Sequence, residues 1–256
     1  MPPAARFDPL DAACLVIDVA FTLEELARTP LAGATAVVID VVRASTTIIA
    51  ALAHGTPGVV PVATPAEAIA RAKAWPGGAA LLGGERGGGS PPGFECGNSP
   101  AEYTAARIRG RTVVFTTTNG TRALLAVEGA KQVAVGGFVN AGAVVRWVVR
   151  QSGDALFVCA GELGRFCLED ATCAGLLVAR LLAQRPDAAL SDSARAAAAL
   201  YASYGTDLDR MLADAAWAQA LLGQGRGADL SLCVRLDAYE VVPVARDGTL
   251  VPAGRN

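Results

Sequence analysis

The sequence predicts an α/β protein, with a layered, mixed and largely parallel sheet, helices on both faces and a mainly helical C-terminal third. Two observations support this. Short β-branched apolar runs alternate with helical patterns over the first two thirds of the chain, and the last third is alanine-rich with helical spacing. The 256 residues, 52% of them hydrophobic, can fill a large core. We expect one compact unit over 1–256, or two subdomains that meet near 150–170.

Seven apolar runs fit strands because each is short, β-branched and bounded by turn residues. These runs are 14–19, 36–41, 59–62, 79–82, 112–115, 132–135 and 155–159. Between them, apolar residues recur at helical spacing in 45–53, 65–75, 101–107, 121–128 and 140–150. A long helix is expected from 168 to about 184, followed by helical structure over 191–222 and strands at 230–236 and 239–244.

Composition argues against several classes of protein. The net charge of −2 comes from 22 basic and 24 acidic residues without a basic block, so no nucleic-acid partner is expected. No apolar run approaches the roughly 18 to 20 residues that span a bilayer. The first 20 residues include acids where a signal peptide needs a basic and then an apolar stretch. We therefore expect a cytoplasmic protein with no membrane partner.

Cysteine and histidine chemistry is not favoured. The only histidine, His54, precedes Gly55 after an apolar helix, which is the pattern of a helix C-terminus. The cysteines lack paired CxxC spacing and stand mostly in apolar surroundings, which predicts buried free thiols. The six are Cys14, Cys96, Cys159, Cys167, Cys173 and Cys233. Chemistry is therefore expected from carboxylates, arginines, threonines or a metal.

Asp40 ends a predicted strand, and Arg43, Thr46 and Thr47 follow where the next helix begins. Ligands of open α/β sheets gather at the carboxyl ends of strands, so we expect these side chains to face one crevice. The simpler alternative is that Asp40 pairs with Arg43 while Ser45 caps the helix. An apolar residue stands two positions after Asp40, where a haloacid-dehalogenase-type phosphatase needs a second aspartate, and that class is disfavoured.

Glu85 and Arg86 lie in a glycine-rich turn directly after a predicted strand. A carboxylate together with phosphate oxygens suits Mg²⁺, and arginine binds phosphate in a bidentate manner. The alternative is a surface loop with an ordinary ion pair. No lysine follows as it does in a Walker A loop, so a nucleotide-binding P-loop is not expected.

A further polar turn, 116–121, separates a predicted strand from a helix. Hydroxyls, an amide and a glycine at a helix start can bind an anion without net charge. N-capping alone is the alternative, but it needs only one such residue. The residues expected to bind the anion are Thr117, Thr118, Asn119, Gly120 and Thr121.

The segment 159–165 runs from Cys159 through five residues to Arg165, as in the phosphate loop of cysteine phosphatases. Glu162 inside that loop opposes a phosphate unless a cation lies between them. The segment therefore also offers Glu162, and downstream Glu169 and Asp170, as metal ligands or bases, with Arg165 as an anion-binding residue. A Glu-Asp pair is equally typical of an ordinary solvated helix start.

Together these segments resemble the 2-phosphosulfolactate phosphatase family. The similar segments follow the family order over most of the chain from Asp40 to Asp170. They are 37–47, 83–88, 92–94, 97–100, 115–122, 159–162 and 168–170. The family often carries a Ser-x-His-Gly element on a helix near its C-terminus, whereas this chain has Trp217 and its alanine neighbours in that region.

The resemblance implies a Mg²⁺-dependent enzyme on a compact α/β fold. It implies hydrolysis of (2R)-2-phospho-3-sulfolactate to sulfolactate and phosphate, in coenzyme M biosynthesis. Such a substrate carries about four negative charges near neutral pH, so several arginines and a cation are expected to hold it. Arg165 is expected to bind the sulfonate. We expect this small phosphorylated substrate as the binding partner. The expected assembly is a homodimer.

The expected site residues fall into three sets. The catalytic set is Asp40, Glu85 and Glu162. The substrate-binding set is Arg43, Thr46, Thr47, Arg86, Asn98, Thr117, Thr118, Asn119, Gly120, Thr121 and Arg165. The metal-binding set is Asp40, Glu85, Glu162, Glu169 and Asp170. Two alternatives stay open: a cysteine-dependent phosphatase that uses Cys159 and Arg165, and a noncatalytic anion-binding protein of this fold.

Overall fold

The computed structural model describes residues 15–78 and 80–254, in which ten strands form one mixed sheet. The strands are β1 Val16–Ala20, β2 Thr35–Ile39, β3 Val59–Pro61, β4 Ala80–Gly84, β5 Thr112–Thr116, β6 Gln132–Gly136, β7 Ala155–Cys159, β8 Ala189–Leu190, β9 Pro243–Arg246 and β10 Thr249–Pro252. The first seven confirm the seven strands predicted from β-branched runs. Two predicted starting residues, Cys14 and Ala79, lie outside the described residues.

The helices follow the predicted alternation. They are α1 Leu23–Leu26, α2 Ala44–Ala53, α3 Pro65–Lys73, α4 Ala105–Ile108, α5 Gly120–Ala126, α6 Ala141–Val149, α7 Leu168–Gln184, α8 Asp192–Tyr204, α9 Leu208–Asp214, α10 Ala216–Gly223 and α11 Gly227–Cys233. Between 15 and 254, with 79 left out, no helix has both the length and the hydropathy of a bilayer-spanning segment.

The sheet consists of two parallel blocks joined by an antiparallel hairpin. The strand order is β4-β5-β3-β10-β9-β6-β2-β7-β1-β8, and β9 and β10 run antiparallel to their neighbours on both sides. The hairpin turns at Asp247 and Gly248, which both have positive φ angles of 49° and 72°. An Asp-Gly pair between two strands is a strong hairpin signal, because the turn type it favours needs positive φ. The C-terminal β structure therefore joins the main sheet.

In each parallel block the central strand is out of sequence order. In one block β5 lies between β3 and β4, although it follows both in the sequence. In the other, β2 lies between β6 and β7, although it precedes both. The loops after the two central strands, β5 and β2, come together at the same end of the molecule.

Hydrophobic cores cover both faces of the sheet, as predicted. Side chains alternate along β2, so that Val37 and Ile39 join the core that includes residues of α6 and α7. Ala36 and Val38 point the other way, into the core that includes residues of α2 and α5. Because both faces are buried, the central strands consist of apolar residues without a polar face.

One predicted element is wrong and another is displaced. Residues 230–236 were expected to form a strand, yet Gly227–Cys233 is helix α11. Asp229, Leu230 and Cys233 are buried on one face at helical spacing, which a strand cannot arrange. The strand predicted at 239–244 begins later, at Pro243, as β9.

Candidate active site

A cavity of about 430 Å³ opens at the carboxyl ends of β2, β4, β5 and β7. The loops after these strands form its walls, and residues from the C-terminal helical region close one side. Its lining consists of Asp40, Val42, Arg43, Glu85, Arg86, Gly87, Asn98, Thr118, Asn119, Gly161, Glu162, Leu163, Cys167, Glu169, Asp170, Trp217 and Gln224. The sequence predicts the candidate site at the same strand ends, where an α/β sheet gathers ligands.

The turn after β5 joins the two blocks at this cavity. The Thr118 amide donates to Glu85 Oε1 at 2.7 Å, which connects the turn to the loop after β4. Asn119 Nδ2 donates to Glu162 Oε2 at 2.6 Å, which connects it to the loop after β7. Residues from opposite blocks are thereby fixed around one space.

Asp40 is held rigidly at the end of β2. Its Oδ1 accepts the Ala44 amide at 3.1 Å, and its own amide donates to Ser45 Oγ at 2.8 Å. A Cβ atom on Gly120 would lie 2.6 Å from Asp40 Oδ2, so glycine is needed where α5 begins. Within the described residues Asp40 Oδ2 has no hydrogen-bond partner, and it is available to the cavity.

Two of the five candidate carboxylates fix the loops. Asp170 accepts the amides of Val41 at 2.8 Å and Gly161 at 3.1 Å, one with each oxygen. Glu85 accepts the Thr118 amide with Oε1 and the Gly88 amide with Oε2. Because both oxygens of each group already bind backbone amides, Asp170 and Glu85 brace the walls of the cavity.

Glu162 and Glu169 have different surroundings. Glu162 is half-buried and uses Oε2 for Asn119, while its Oε1 has no hydrogen-bond partner among the described residues. Glu169 is buried at the start of α7, and burial together with the nearby Glu162 raises the pKa of its carboxyl. Glu162 and Glu169 raise the cavity's negative charge next to Asp40.

The five candidate carboxylates lie close together, and none of them forms an ion pair with a described basic residue. Burial raises the pKa of Asp40 to about 7, with further contributions from Glu85, Glu162 and Glu169. Burial also raises the pKa of Asp170 well above its ordinary value, assisted by the nearby Asp40 and Glu169. None of the ion pairs between described residues includes any of the five. An excess of negative charge therefore faces the cavity.

Two arginines supply the positive charge of the lining. Arg43 is buried, and its Nη1 donates to Asp229 Oδ2 at 2.7 Å, while Nη2 donates to the Gly88 carbonyl at 3.3 Å. Asp229 also accepts Ser99 Oγ at 2.5 Å. The pairing of Arg43 with Asp40 considered from the sequence is not formed, since Asp229 of α11 takes its place.

Arg86 is anchored to the backbone around it. Its Nη1 donates to the Glu85 carbonyl at 2.6 Å, and its Nη2 donates to the Ala63 carbonyl and to Thr116 Oγ1. The ion pair with Glu85 considered from the sequence is absent from the salt bridges of the described residues. The guanidinium is therefore fixed at the cavity wall.

Several expected substrate-binding residues lie behind the lining. Thr46 and Thr47 are buried and donate to the carbonyls of Val41 and Asn98. Thr117 and Thr121 bond each other, because each amide donates to the other's hydroxyl at 3.1 Å. The hydroxyls of these four threonines, together with Gly120, therefore stabilise the turns behind the cavity lining.

Arg165 is also outside the lining. It is exposed, and its backbone pairs with Glu162 to close a turn. Of the expected substrate-binding residues, Arg43, Arg86, Asn98, Thr118 and Asn119 line the cavity.

The cysteine mechanism has no geometric basis. Cys159 is fully buried and outside the cavity lining, and burial raises the pKa of its thiol well above the ordinary value. A thiolate nucleophile needs the opposite environment. The five cysteines among the described residues are buried free thiols, as predicted, while Cys14 lies outside those residues. His54 caps α2 and its Nδ1 lies 2.7 Å from the Tyr103 carbonyl, away from the cavity.

The C-terminal helices contribute to the site residues that the sequence did not identify. Trp217 and Gln224 line the cavity, and Asp229 pairs with Arg43 behind it. Trp217 Nε1 donates to the Val42 carbonyl at 3.0 Å, which fixes the indole over the loop after β2. Trp217 stands in the segment where the resemblance expects a histidine element. No local signal identified Gln224 or Asp229.

Comparison with known proteins agrees with this architecture. The family model described as 2-phosphosulpholactate phosphatase matches residues 20–248. A protein of Symbiobacterium thermophilum named "Probable 2-phosphosulfolactate phosphatase" is 42% identical over 221 residues, which cover 86% of this chain and 95% of the relative. Proteins of the same name from Thermotoga petrophila and Synechococcus sp. (strain JA-3-3Ab) are 39% and 40% identical, over 87% and 89% of this chain and 93% and 96% of the relatives.

Proposed function

The chain belongs to the 2-phosphosulpholactate phosphatase family, and we propose that it hydrolyses 2-phospho-3-sulfolactate to 3-sulfolactate and phosphate in a Mg²⁺-dependent reaction. The observation that carries the proposal is the cavity at the strand ends, where carboxylates and two fixed guanidinium groups face the same space. Relatives that match across most of their length carry the name of this activity.

The donors of the cavity fit a hard cation with few protein ligands. The candidate ligands are carboxylate oxygens, and Asp40 and Glu162 each have an oxygen without a hydrogen-bond partner among the described residues. No group of three His, Cys, Asp or Glu side chains within 15–78 and 80–254 is arranged as a metal cage. Mg²⁺ commonly uses one or two carboxylates and completes its shell with water and phosphate oxygens. Glu162 and Glu169 are the proposed ligands, and the bound ion would polarise the phosphoryl group.

Asp40 is the proposed general base. Its backbone and Oδ1 are fixed by Ser45 and Ala44, and its remaining oxygen faces the cavity. A carboxylate held in this way can orient a water molecule and accept its proton as that water attacks phosphorus. The bond from the water oxygen to phosphorus forms as the bond from phosphorus to the alcohol oxygen of sulfolactate breaks. The alcohol oxygen takes a proton from solvent, and 3-sulfolactate and inorganic phosphate are released. Arg43 and Arg86, which are fixed in the same lining, offset the charge of the substrate.

Phosphate release tests the activity. The protein would be incubated with 2-phosphosulfolactate and with a panel of phosphorylated hydroxy acids, after EDTA treatment and after Mg²⁺ is added back. We expect turnover of the sulfonated substrate that EDTA abolishes and Mg²⁺ restores. Binding of the substrate without phosphate release would instead indicate the noncatalytic alternative.

Three variants separate the proposed roles. Asp40→Asn should lower kcat by about 10²- to 10⁴-fold with little change in the Mg²⁺ concentration that gives half-maximal activity. Glu162→Gln and Glu169→Gln should raise that Mg²⁺ concentration. Glu128→Gln, an exposed change in the turn after α5, serves as the control. A Mg²⁺ requirement that is unchanged in both glutamate variants would remove them from the metal site.

A further inference from the structure

The turn after β5 places two consecutive residues between two other loops of the cavity. The Thr118 amide donates to Glu85 Oε1 at 2.7 Å and the Thr118 hydroxyl donates to Oε2 at 3.3 Å, which holds the loop after β4. The side chain of the next residue, Asn119, reaches the loop after β7, where it donates to Glu162. One turn therefore holds a glutamate of each flanking loop.

The carboxamide of Asn119 is used at both ends. Its Oδ1 accepts the Leu163 amide at 3.2 Å, and its Nδ2 donates to Glu162 Oε2 at 2.6 Å. A backbone amide only donates and a carboxylate only accepts, so these two partners fix which end of the carboxamide faces each of them. Asn119 stands at the N-cap of α5, yet its side chain makes no capping hydrogen bond. The side chain therefore serves the loop after β7 and not its own helix.

The hydrogen bond from Asn119 sets the direction of the Glu162 carboxylate. The backbone of Glu162 is already held, because its amide and carbonyl pair with those of Arg165 at 3.0 and 2.9 Å. With Oε2 bound to Asn119, Oε1 is left without a hydrogen-bond partner among the described residues. Glu85 differs, because each of its oxygens accepts a backbone amide. Asn119 thus fixes a carboxylate and leaves one of its oxygens available.

Resting on the proposed function, in which Glu162 binds Mg²⁺, we propose that Asn119 is a positioning residue that acts through Glu162. A side chain that is already held loses less conformational entropy when it binds a cation. Hydrogen-bond partners of metal ligands commonly contribute about 10- to 100-fold to metal affinity. The sequence predicts Asn119 as a substrate-binding residue, but its two protein partners favour the positioning role.

Magnesium titrations without substrate test this role. Asn119→Ser keeps a residue favoured at a helix N-cap but is too short to bridge to Glu162. Calorimetric titration of the EDTA-treated protein with Mg²⁺ should give a Kd roughly tenfold higher in Asn119→Ser than in wild type. In a Glu162→Ala background the same substitution should change the Kd less than about twofold, because the group through which Asn119 acts is gone. Asn119→Ala should give the same two results. The control Gln184→Ser, an exposed change at the last residue of α7, should leave the Kd unchanged.

Turnover separates positioning from substrate binding. At saturating Mg²⁺, Asn119→Ser should keep kcat and the KM for 2-phosphosulfolactate within about threefold of wild type, because the metal site is then filled. A larger rise in KM under these conditions would assign Asn119 to the substrate and overturn the inference. A Kd for Mg²⁺ that rises equally with and without the Glu162 side chain would do the same, since a purely structural role in the turn does not depend on that side chain. An unchanged Kd in both Asn119 variants would also overturn it.

The proposed function is decided by a separate measurement. Phosphate release from 2-phosphosulfolactate reports the activity, whereas the Mg²⁺ titrations contain no substrate. If Glu162→Ala leaves the Kd for Mg²⁺ unchanged, Glu162 is not a ligand, and the inference is overturned even when the protein is an active phosphatase.

Discussion

The ion pair between Arg43 and Asp229 gives the sharpest prediction about stability. Both side chains are almost fully buried, with 2% and 9% of their surfaces exposed. Asp229 accepts two short hydrogen bonds, from Arg43 at 2.7 Å and from Ser99 at 2.5 Å. Asp229→Ala removes both acceptor oxygens. The Arg43 guanidinium then keeps its hydrogen bond to the Gly88 carbonyl, at 3.3 Å. A buried charge without its partner is costly because little water can replace the lost contact.

The expected cost follows from this geometry. Asp229→Ala should lower the free energy of unfolding by about 3 to 5 kcal/mol, the range for breaking a buried ion pair. Asp229→Asn keeps the shape and should cost about 1.5 to 3 kcal/mol. The double variant Arg43→Met/Asp229→Leu should be more stable than Asp229→Ala, because it removes both charges and retains apolar volume.

Urea denaturation followed by tryptophan fluorescence measures these values, and the denaturant slope checks that unfolding stays two-state. The matched control is the surface pair of Arg146 and Glu240, whose side chains are 51% and 80% exposed. Glu240→Ala should cost at most about 1 kcal/mol. If Asp229→Ala costs no more than Glu240→Ala, the buried pair does not stabilise the wall of the cavity and the reasoning is refuted.

Two other substitutions test the geometry of the site. Gly120→Ala should lower kcat/KM at least about tenfold, because the added Cβ would lie 2.6 Å from Asp40 Oδ2. Gly254→Ala is the control. It should leave kcat/KM unchanged, because no atom lies within 4 Å of the added Cβ. Equal activity of the two glycine variants would show that Asp40 tolerates displacement. Cys159→Ala should retain kcat within about threefold, since the thiol is fully buried and protonated; a loss of about 10³-fold would restore the cysteine mechanism.

Local sequence patterns predicted the strands well because the physical cause is local. A strand covered on both faces needs a continuous apolar run, and Ala155–Cys159 and Thr112–Thr116 have that composition. The same patterns were ambiguous at 230–236, where apolar residues alternate as in a strand. The buried face of α11 resolved the ambiguity, because Leu230 and Cys233 pack into the core three positions apart.

The sequence by itself determined the α/β alternation and placed Asp40, Glu85 and Glu162 near strand ends, since parallel strands bring their carboxyl ends to one edge. Tertiary structure decided which oxygens and amides face the cavity. Glu85 and Asp170 bind backbone amides, Thr117 and Thr121 bind each other, and Arg43 pairs with Asp229 across 186 positions. Such pairings depend on burial and on contacts between distant segments, such as β2 and the strands β6 and β7 on either side of it. Residue type and spacing do not contain that information, because each polar group bonds whichever partner the fold brings within reach.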